Sequence, residues 1–289
     1  MTVLSNRADA VSIVMRCKNE VSYIEQTLLM LKKQDYNGLI ELIVIDSGST
    51  DGSLKIIEQS CPDILLCIEP HEYIPGRVIN KAMELSSNNL VIFLNADATP
   101  KNKYWLSNLL SAASYTQNLG AVFCRQITRK NCLAVYSHDY EKCFGKDRLS
   151  EEWDNFFSMV GSLVYKPVWE NHKFREDLQY AEDDEWTRRL KHNRYNIVYA
   201  EDSIVIHSHN YNLHEAYIRS IGDTKASTQA GILTPFSLSL SYHVLLGSIT
   251  AWLKDIPYHL KKGKVLELPY ALGIRLAQRY GQWVGNRIK

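Results

Sequence analysis

The sequence predicts an α/β doubly wound fold, and three observations carry that prediction. Short apolar runs of strand length stand at residues 11–16 (VSIVMR), 39–46 (LIELIVID) and 89–97 (NLVIFLNAD). The stretches between them hold apolar residues at helical spacing. Each run stops at a polar or glycine-bearing segment. Strand and helix in alternation, with continuously apolar strands, describe a sheet buried on both faces.

The elements follow in order. Residues 11–16 and 39–46 read as buried parallel strands. Between them, residues 21–33 place Ile24, Leu28 and Leu31 on one helical face, as a crossover helix does. A helix over 77–86 leads into the third strand. The second half is less regular. An apolar segment with serines (FFSMVGSLVY, 156–165) precedes a helix opened by acids (AEDDEWTRRLKH, 181–192). A strand over 195–209 then ends in two histidines, and beyond Tyr211 the chain reads as helical, broken at Pro235 and near Pro257 and Pro269.

Composition narrows the functional classes. With 33 basic and 32 acidic residues the 289-residue chain carries +1, which argues against a general nucleic-acid binder. The charge is uneven: residues 254–289 hold eight basic and two acidic side chains, leaving the remainder at −5. The six cysteines include no CxxC pair, so reduced thiols in a cytoplasmic protein are expected. The opening MTVLSNRADA lacks the regions of a secretory signal.

In open α/β sheets ligands bind beyond the carboxyl ends of the strands. That directs attention to Arg16 through Glu20, including Lys18, to Asp46 through Gly52, and to Asn95–Ala96–Asp97. No GxGxxG follows the first strand, which disfavours a dehydrogenase, and no GxxxxGK[ST] is present. The loop SGSTDGS (47–53) is either a strand-to-helix turn capped by Asp51 or Ser53, or a ligand loop. Alternate strand residues share a side, so Asn95 and Asp97 are expected to converge on one ligand; a carboxylate beside an amide oxygen suits a hard divalent cation. Four adjacent acids, Glu182 to Glu185, either open a helix or supply a general base whose proton affinity is raised by like charge. His207 and His209, two apart on one strand face, are either structural or metal ligands.

Taken in order, these pieces resemble the family 2 inverting glycosyltransferases of GT-A fold, in particular the bacterial rhamnosyltransferase-like branch. The matching residues are VSIVMRCKNE (11–20), ELIVIDSGSTDGS (41–53), PGRVIN (75–80), VIFLNADATPKNKYWL (91–106), GAVFCRQ (120–126), YAEDDEWTRRL (180–190) and VIHSHNY (205–211). The resemblance implies a Rossmann-like mixed sheet over residues 1–225, with a nucleotide-sugar half to about residue 100 and an acceptor half after it. It also implies a helical C-terminal extension over 226–289.

The same resemblance implies roles. The loop of Arg16, Lys18 and Glu20, with Asp46, would hold the base and ribose of a dTDP-, UDP- or GDP-sugar, and Arg77 would lie near the diphosphate or donor sugar. Asn95–Ala96–Asp97 stands at the DXD position, where Asp97 would bind Mn²⁺ or Mg²⁺. Asp183 matches the catalytic base, Glu182 would orient the base or acceptor, and His207, with His209 as second choice, matches a late metal-binding histidine. Asn95 in place of the first DXD acid implies either weakened metal binding or a catalytically inactive, nucleotide-sugar-binding subunit. The implied acceptor is a cell-surface glycan or a lipid-linked glycan.

Residues 235–253 mix apolar residues with serines and precede the basic segment. They read either as an amphipathic helix in a membrane interface, placing the protein peripherally on the inner face of the cytoplasmic membrane, or as packing on the catalytic body or in a homodimer.

Overall fold

The computed structural model describes residues 10–237 and 239–288. Residues 1–9 of the N-terminal segment, Leu238 of the expected amphipathic stretch and Lys289 of the basic tail lie outside the described residues.

Eight strands form one sheet: β1 (Val11–Cys17), β2 (Ile40–Asp46), β3 (Ile64–Cys67), β4 (Leu90–Asn95), β5 (Thr99–Pro100), β6 (Leu119–Ile127), β7 (Ser162–Tyr165) and β8 (Asn196–Ile206). Their order across the sheet is β3-β2-β1-β4-β7-β6-β8-β5. The first four run parallel, but β7 is antiparallel to β4 and β6, and β5 is antiparallel to β8, so the sheet is mixed. The helices are α1 (Ile24–Lys32), α2 (Ser53–Ser60), α3 (Pro75–Leu85), α4 (Trp105–Ser114), α5 (Ala134–Phe144), α6 (Lys166–Asn171), α7 (Glu182–His192), α8 (Leu213–Gln229), α9 (Gly247–Lys262) and α10 (Leu268–Gly285). Helix α8 runs without a break through position 225.

Strand alternation explains the two cores. Ile13, Met15, Ile92 and Leu94 face one way, against Ile24 and Leu28 of α1 and Leu106 and Leu109 of α4. Val14, Ile43, Val91 and Phe93 face the other way, against Val78 and Met83 of α3, Trp169 of α6 and Trp186 of α7. All of these side chains are buried, which is why the strands are apolar at every position rather than every second one.

The C-terminal helices pack on this body. A Cβ at Gly281 of α10 would lie 2.4 Å from the Tyr217 carbonyl of α8, and one at Gly285 would lie 2.6 Å from that of Ile221. Glycine at both positions lets the two backbones touch. Arg275 of α10 donates to Asp255 of α9 at 2.8 and 2.9 Å and to Asp139 of α5 at 2.8 and 2.9 Å. His138 Nδ1 lies 2.8 Å from the same Asp255, whose side chain is 0% exposed. Pro257 does not break the chain as expected but sits inside α9. Its missing N–H costs one helical bond, while the neighbouring Asp255 and His259 anchor that helix in the interior.

Replacing Arg275 with Met leaves Asp255 buried without its main partner and is expected to destabilise the fold by about 3–5 kcal/mol, read as a lowered midpoint in thermal and denaturant unfolding. Burial raises the Asp255 carboxyl, but His138 and Arg275 outweigh it and hold it at about 2, below its ordinary 3.8. Its stabilisation is therefore present above that ordinary value and lost as pH falls towards 2. The Met variant is expected to lose this part of the wild-type acid sensitivity.

Candidate active site

The site is assembled where β1, β2, β4, β6 and β8 end. Its loops are stitched to one another by main-chain donors. Asn19, at φ 57°, donates its N–H to Ser49 Oγ at 2.9 Å and accepts from Thr50 N at 2.7 Å. Glu20 N donates to Ser53 Oγ and Val21 N to Asp51 Oδ2. Asp51 Oδ1 also accepts from Ser53 N at 3.0 Å, so the SGSTDGS loop does turn the chain into α2 through Asp51. Asp46 is buried; its Oδ2 accepts from Gly48 N and Ser49 N, and its Oδ1 has no hydrogen-bond partner. Lys18 projects to solvent.

Asn95 and Asp97 take different protein partners. Strand β4 ends at Asn95, and a turn closed by Ala98 N donating to Asn95 O follows. Asn95 Oδ1 accepts from Arg16 Nη2 at 3.0 Å. The buried Ala96 donates its N–H to Arg16 O. Asp97 is carried instead towards β8, because Thr99 of β5 pairs with Ile206. The histidines likewise lie past the end of their strand, which stops at Ile206, rather than on it. Their rings are nearly perpendicular, yet both reach Asp97.

Asp97 Oδ2 lies 3.3 Å from His207 Nε2, 3.7 Å from His209 Nε2 and 3.6 Å from Arg129 Nη2. The carboxylate side chain is 4% exposed. Arg129 also donates to the Asp97 and Ser208 carbonyls, and its guanidinium stacks 3.8 Å over the Tyr23 ring. Burial raises the Asp97 carboxyl, but His207, His209 and Arg129 together hold it below the ordinary carboxylate range. Burial, then the Asp97 charge, pushes nearby Glu20 up to about 7. Burial, then His207, lowers His209 to about 4, so at neutral pH it offers a lone pair.

His207 Nδ1 lies 2.8 Å from Gln126 Oε1, which orients the ring so that Nε2 faces Asp97. Asp97 Oδ2 and His207 Nε2 are both buried with no hydrogen-bond partner. Two buried polar atoms left unsatisfied side by side are what a shared cation would bind. Asp97, His207 and His209 offer three ligand atoms within 4.8 Å of one another. One carboxylate and two imidazoles fit a divalent transition ion such as Mn²⁺ better than Mg²⁺.

The four acids divide. Asp184 pairs with Arg188 at 3.2 Å and Glu185 with Arg189 at 3.0 Å, as i,i+4 supports of α7. Glu182 and Asp183 have no such partner among the described residues. Asp183 Oδ1 accepts from Asp184 N at 2.9 Å and Oδ2 from Met159 N at 3.2 Å. Burial raises Asp183 above the carboxylate range even against those two N–H bonds. Burial, then the Asp183 charge, raises Glu182. The Arg16 guanidinium opposes both shifts, so this one side chain faces Asn95 and the acid pair together.

Arg77 is not brought to this group. Its side chain pairs with Glu176 at 3.6 Å and lines a separate cavity of about 240 Å³ beside Ile45, Leu66 and Ile68. The helical period of α3 turns Val78, Ile79 and Met83 inward and leaves Arg77 at the rim.

Against this geometry the comparisons are specific. The family model described as Glycosyl transferase family 2 matches residues 12–168. The chain belongs to that family. The O-antigen chain rhamnosyltransferase WbaN of Salmonella anatum is 30% identical over 192 residues, 62% of this chain and 60% of WbaN, so the match spans less than two thirds of that relative. The glycosyltransferase AglE of Haloferax volcanii is 24% identical over 259 residues, 87% of this chain and 84% of AglE. Among solved structures, the mannosyltransferase PcManGT of Pyrobaculum calidifontis, in complex with GDP-Man and Mn²⁺, gives a TM-score of 0.66 at 18% identity, covering 97% of this chain and 86% of that one. The fold of this family member is therefore GT-A, with a helical C-terminal region.

Several residues of the site carry no sequence signal of their own. Arg129, Tyr23 and Tyr140 sit in unremarkable local contexts, and Gln126 closes the family-matching segment GAVFCRQ without a role attached to it; only the folded sheet brings them to Asp97 and His207. Gln126 is the most consequential, since its Oε1 orients His207 while its Nε2 donates to Ser158 Oγ at 2.8 Å. Gln126→Leu is expected to weaken Mn²⁺ binding about 10–100-fold, measured by calorimetry without donor or acceptor. In the same titration Mn²⁺ is expected to bind wild-type protein more tightly than Mg²⁺.

Proposed function

We propose that this protein is a metal-dependent, inverting glycosyltransferase that moves a hexose, rhamnose by preference, from a nucleoside-diphosphate donor to a hydroxyl of a growing cell-surface glycan. The observation that carries the reading is the pair of neighbouring buried atoms, Asp97 Oδ2 and His207 Nε2, that lack a hydrogen-bond partner, taken with the half-buried carboxyl of Asp183. The relatives' names support the sugar class: WbaN and the Salmonella typhimurium protein RfbN are both O-antigen chain rhamnosyltransferases.

The residues take distinct parts. Asp97, His207 and His209 would hold Mn²⁺ or Mg²⁺, which would supply charge stabilisation for the departing diphosphate. Asp46, with a free Oδ1, and the loop from Arg16 to Glu20 receive the nucleotide. Asp183 takes the proton of the acceptor hydroxyl as its oxygen attacks the anomeric carbon and the bond from that carbon to the diphosphate oxygen breaks. A single displacement needs one such carboxylate and inverts the centre. Met159 N–H and Asp184 N–H hold both Asp183 oxygens in place for that transfer. Glu182 stands beside Asp183 and tunes it by charge. Tyr180, Tyr211 and Arg219 line an open cavity of about 360 Å³ that suits the acceptor, free or lipid-linked. A lipid-linked acceptor places the protein in the cytoplasm at the inner face of the membrane.

Activity is favoured over an inactive subunit despite the departure at Asn95, because Asp97 and the acid pair are kept. Its oxygen is engaged by Arg16, and the three ligand atoms are complete without it.

A thermal-shift screen against UDP-, GDP- and dTDP-sugars with Mn²⁺ is expected to single out one donor, and release of its nucleoside diphosphate with acceptor present tests the reaction. Asp183→Asn is expected to lower transfer on the order of 10³-fold while donor binding survives; retained transfer overturns its role. Because burial raises Asp183, kcat/KM is expected to fall as pH drops through a value above the ordinary carboxylate range. Glu182→Gln removes a neighbouring negative charge and is expected to move that limb to lower pH.

A further inference from the structure

Helix α9 is built inside out. Ser248, Asp255 and His259 face the protein at 0% exposure. All three are bonded there: Ser248 Oγ to the Arg275 carbonyl, Asp255 to Arg275, and His259 Nδ1 to the Asp255 carbonyl. The opposite side is apolar. Tyr242, Leu245, Leu246, Ile249, Leu253 and Leu260 are between 46% and 59% exposed. The π-helical segment Ser241–Leu246 runs directly into α9, so these residues form one stripe rather than scattered positions. A continuous exposed stripe of this kind marks a surface that is covered in use.

Charge identifies what covers it. Residues 236–266 contain four lysines and a single acid, Asp255, which is buried in its ion network. Lys264 pairs with Glu267, whereas Lys254, Lys261 and Lys262 are exposed with no carboxylate at ion-pair distance among the described residues. The exposed charges of residues 236–266 are therefore all positive. A second copy of the face brings cation towards cation, while an anionic bilayer offers both a hydrocarbon boundary for the stripe and negative charge for the lysines. No described helix is long and apolar enough to cross a membrane, so the stripe lies along the surface.

We propose that the outer face of Ser241–Leu246 and α9 docks this protein on an anionic lipid bilayer, with Leu245, Ile249 and Leu253 in the headgroup–acyl boundary and Lys254, Lys261 and Lys262 on the headgroups. This deepens the peripheral-membrane part of the function proposed above and rests on that placement, not on the identity of the donor.

The test is flotation of the full chain with phosphatidylglycerol–phosphatidylcholine vesicles and with phosphatidylcholine vesicles, no donor or acceptor present. Wild-type protein is expected to float with the anionic vesicles. The variant L245D/I249D/L253D is expected to partition at least about tenfold less, with its melting temperature and its vesicle-free turnover of nucleotide-sugar unchanged. K254E/K261E/K262E is expected to lose the preference for the anionic lipid. The proposal is overturned if wild-type protein stays with the lipid-free fraction, if the aspartate variant floats as before, or if light scattering shows a wild-type dimer that the aspartate variant splits. Failure of turnover with flotation intact counts against the transferase reading alone.

Discussion

A negative charge buried at Asp97 is the constraint around which the site is arranged. A carboxylate at that depth is costly unless opposite charge or ligands surround it. Here Arg129 approaches to 3.6 Å, and two imidazoles close the remaining side. Arg129 is itself held by stacking on Tyr23, just before α1, and by the Ser208 carbonyl between the two histidines. Four connections, those after β1, β4, β6 and β8, are thus tied to one carboxyl group. The short pairing of β5 with β8 makes the meeting possible, because it sets Thr99 against Ile206 and so puts Asp97 beside His207.

Arg16 joins this half of the site to the acid pair. It leaves β1 next to β4, donates to Asn95, and its charge opposes the raised proton affinity of Glu182 and Asp183. The asparagine at position 95 thereby acquires a physical meaning. An aspartate there would place another negative charge on the Arg16 guanidinium and divide its influence between a new partner and the acid pair. Arg16 thus links Asn95 by a hydrogen bond and the acid pair by its charge, although the two lie on different elements.

The C-terminal helices serve two faces at once. Arg275, Asp255 and Asp139 clamp α9 and α10 to α5, and glycines at 281 and 285 seat α10 on α8. That same clamp rotates α9 so that its polar residues point inward and its leucines outward. A helix drawn to the core by its apolar face would have the opposite orientation, so the buried ion network decides which side of α9 the solvent meets. The arrangement also carries α8 beside the acid pair, where Arg219 and Tyr211 line the open cavity next to Tyr180.

Strand and helix periodicity is a local property, and it was enough to locate β1, β2 and β4, α1 and α7 within a few residues, as well as the polar strand ends where a ligand belongs. The family pattern added the mixed GT-A sheet. Which side chains meet was decided only by the tertiary structure. The reversal of β7, the turn that separates Asn95 from Asp97, the outward tilt of Arg77 and the continuation of α9 through Pro257 all depend on partners far away in the chain. Gln126 belongs to a family-matching segment, but neither its part nor that of Arg129 has a local signature, since these come from inter-strand register and from the need to neutralise a buried charge. Hydrophobic spacing in a chain dictates what is buried, whereas the register between strands distant in sequence dictates which polar atoms face one another.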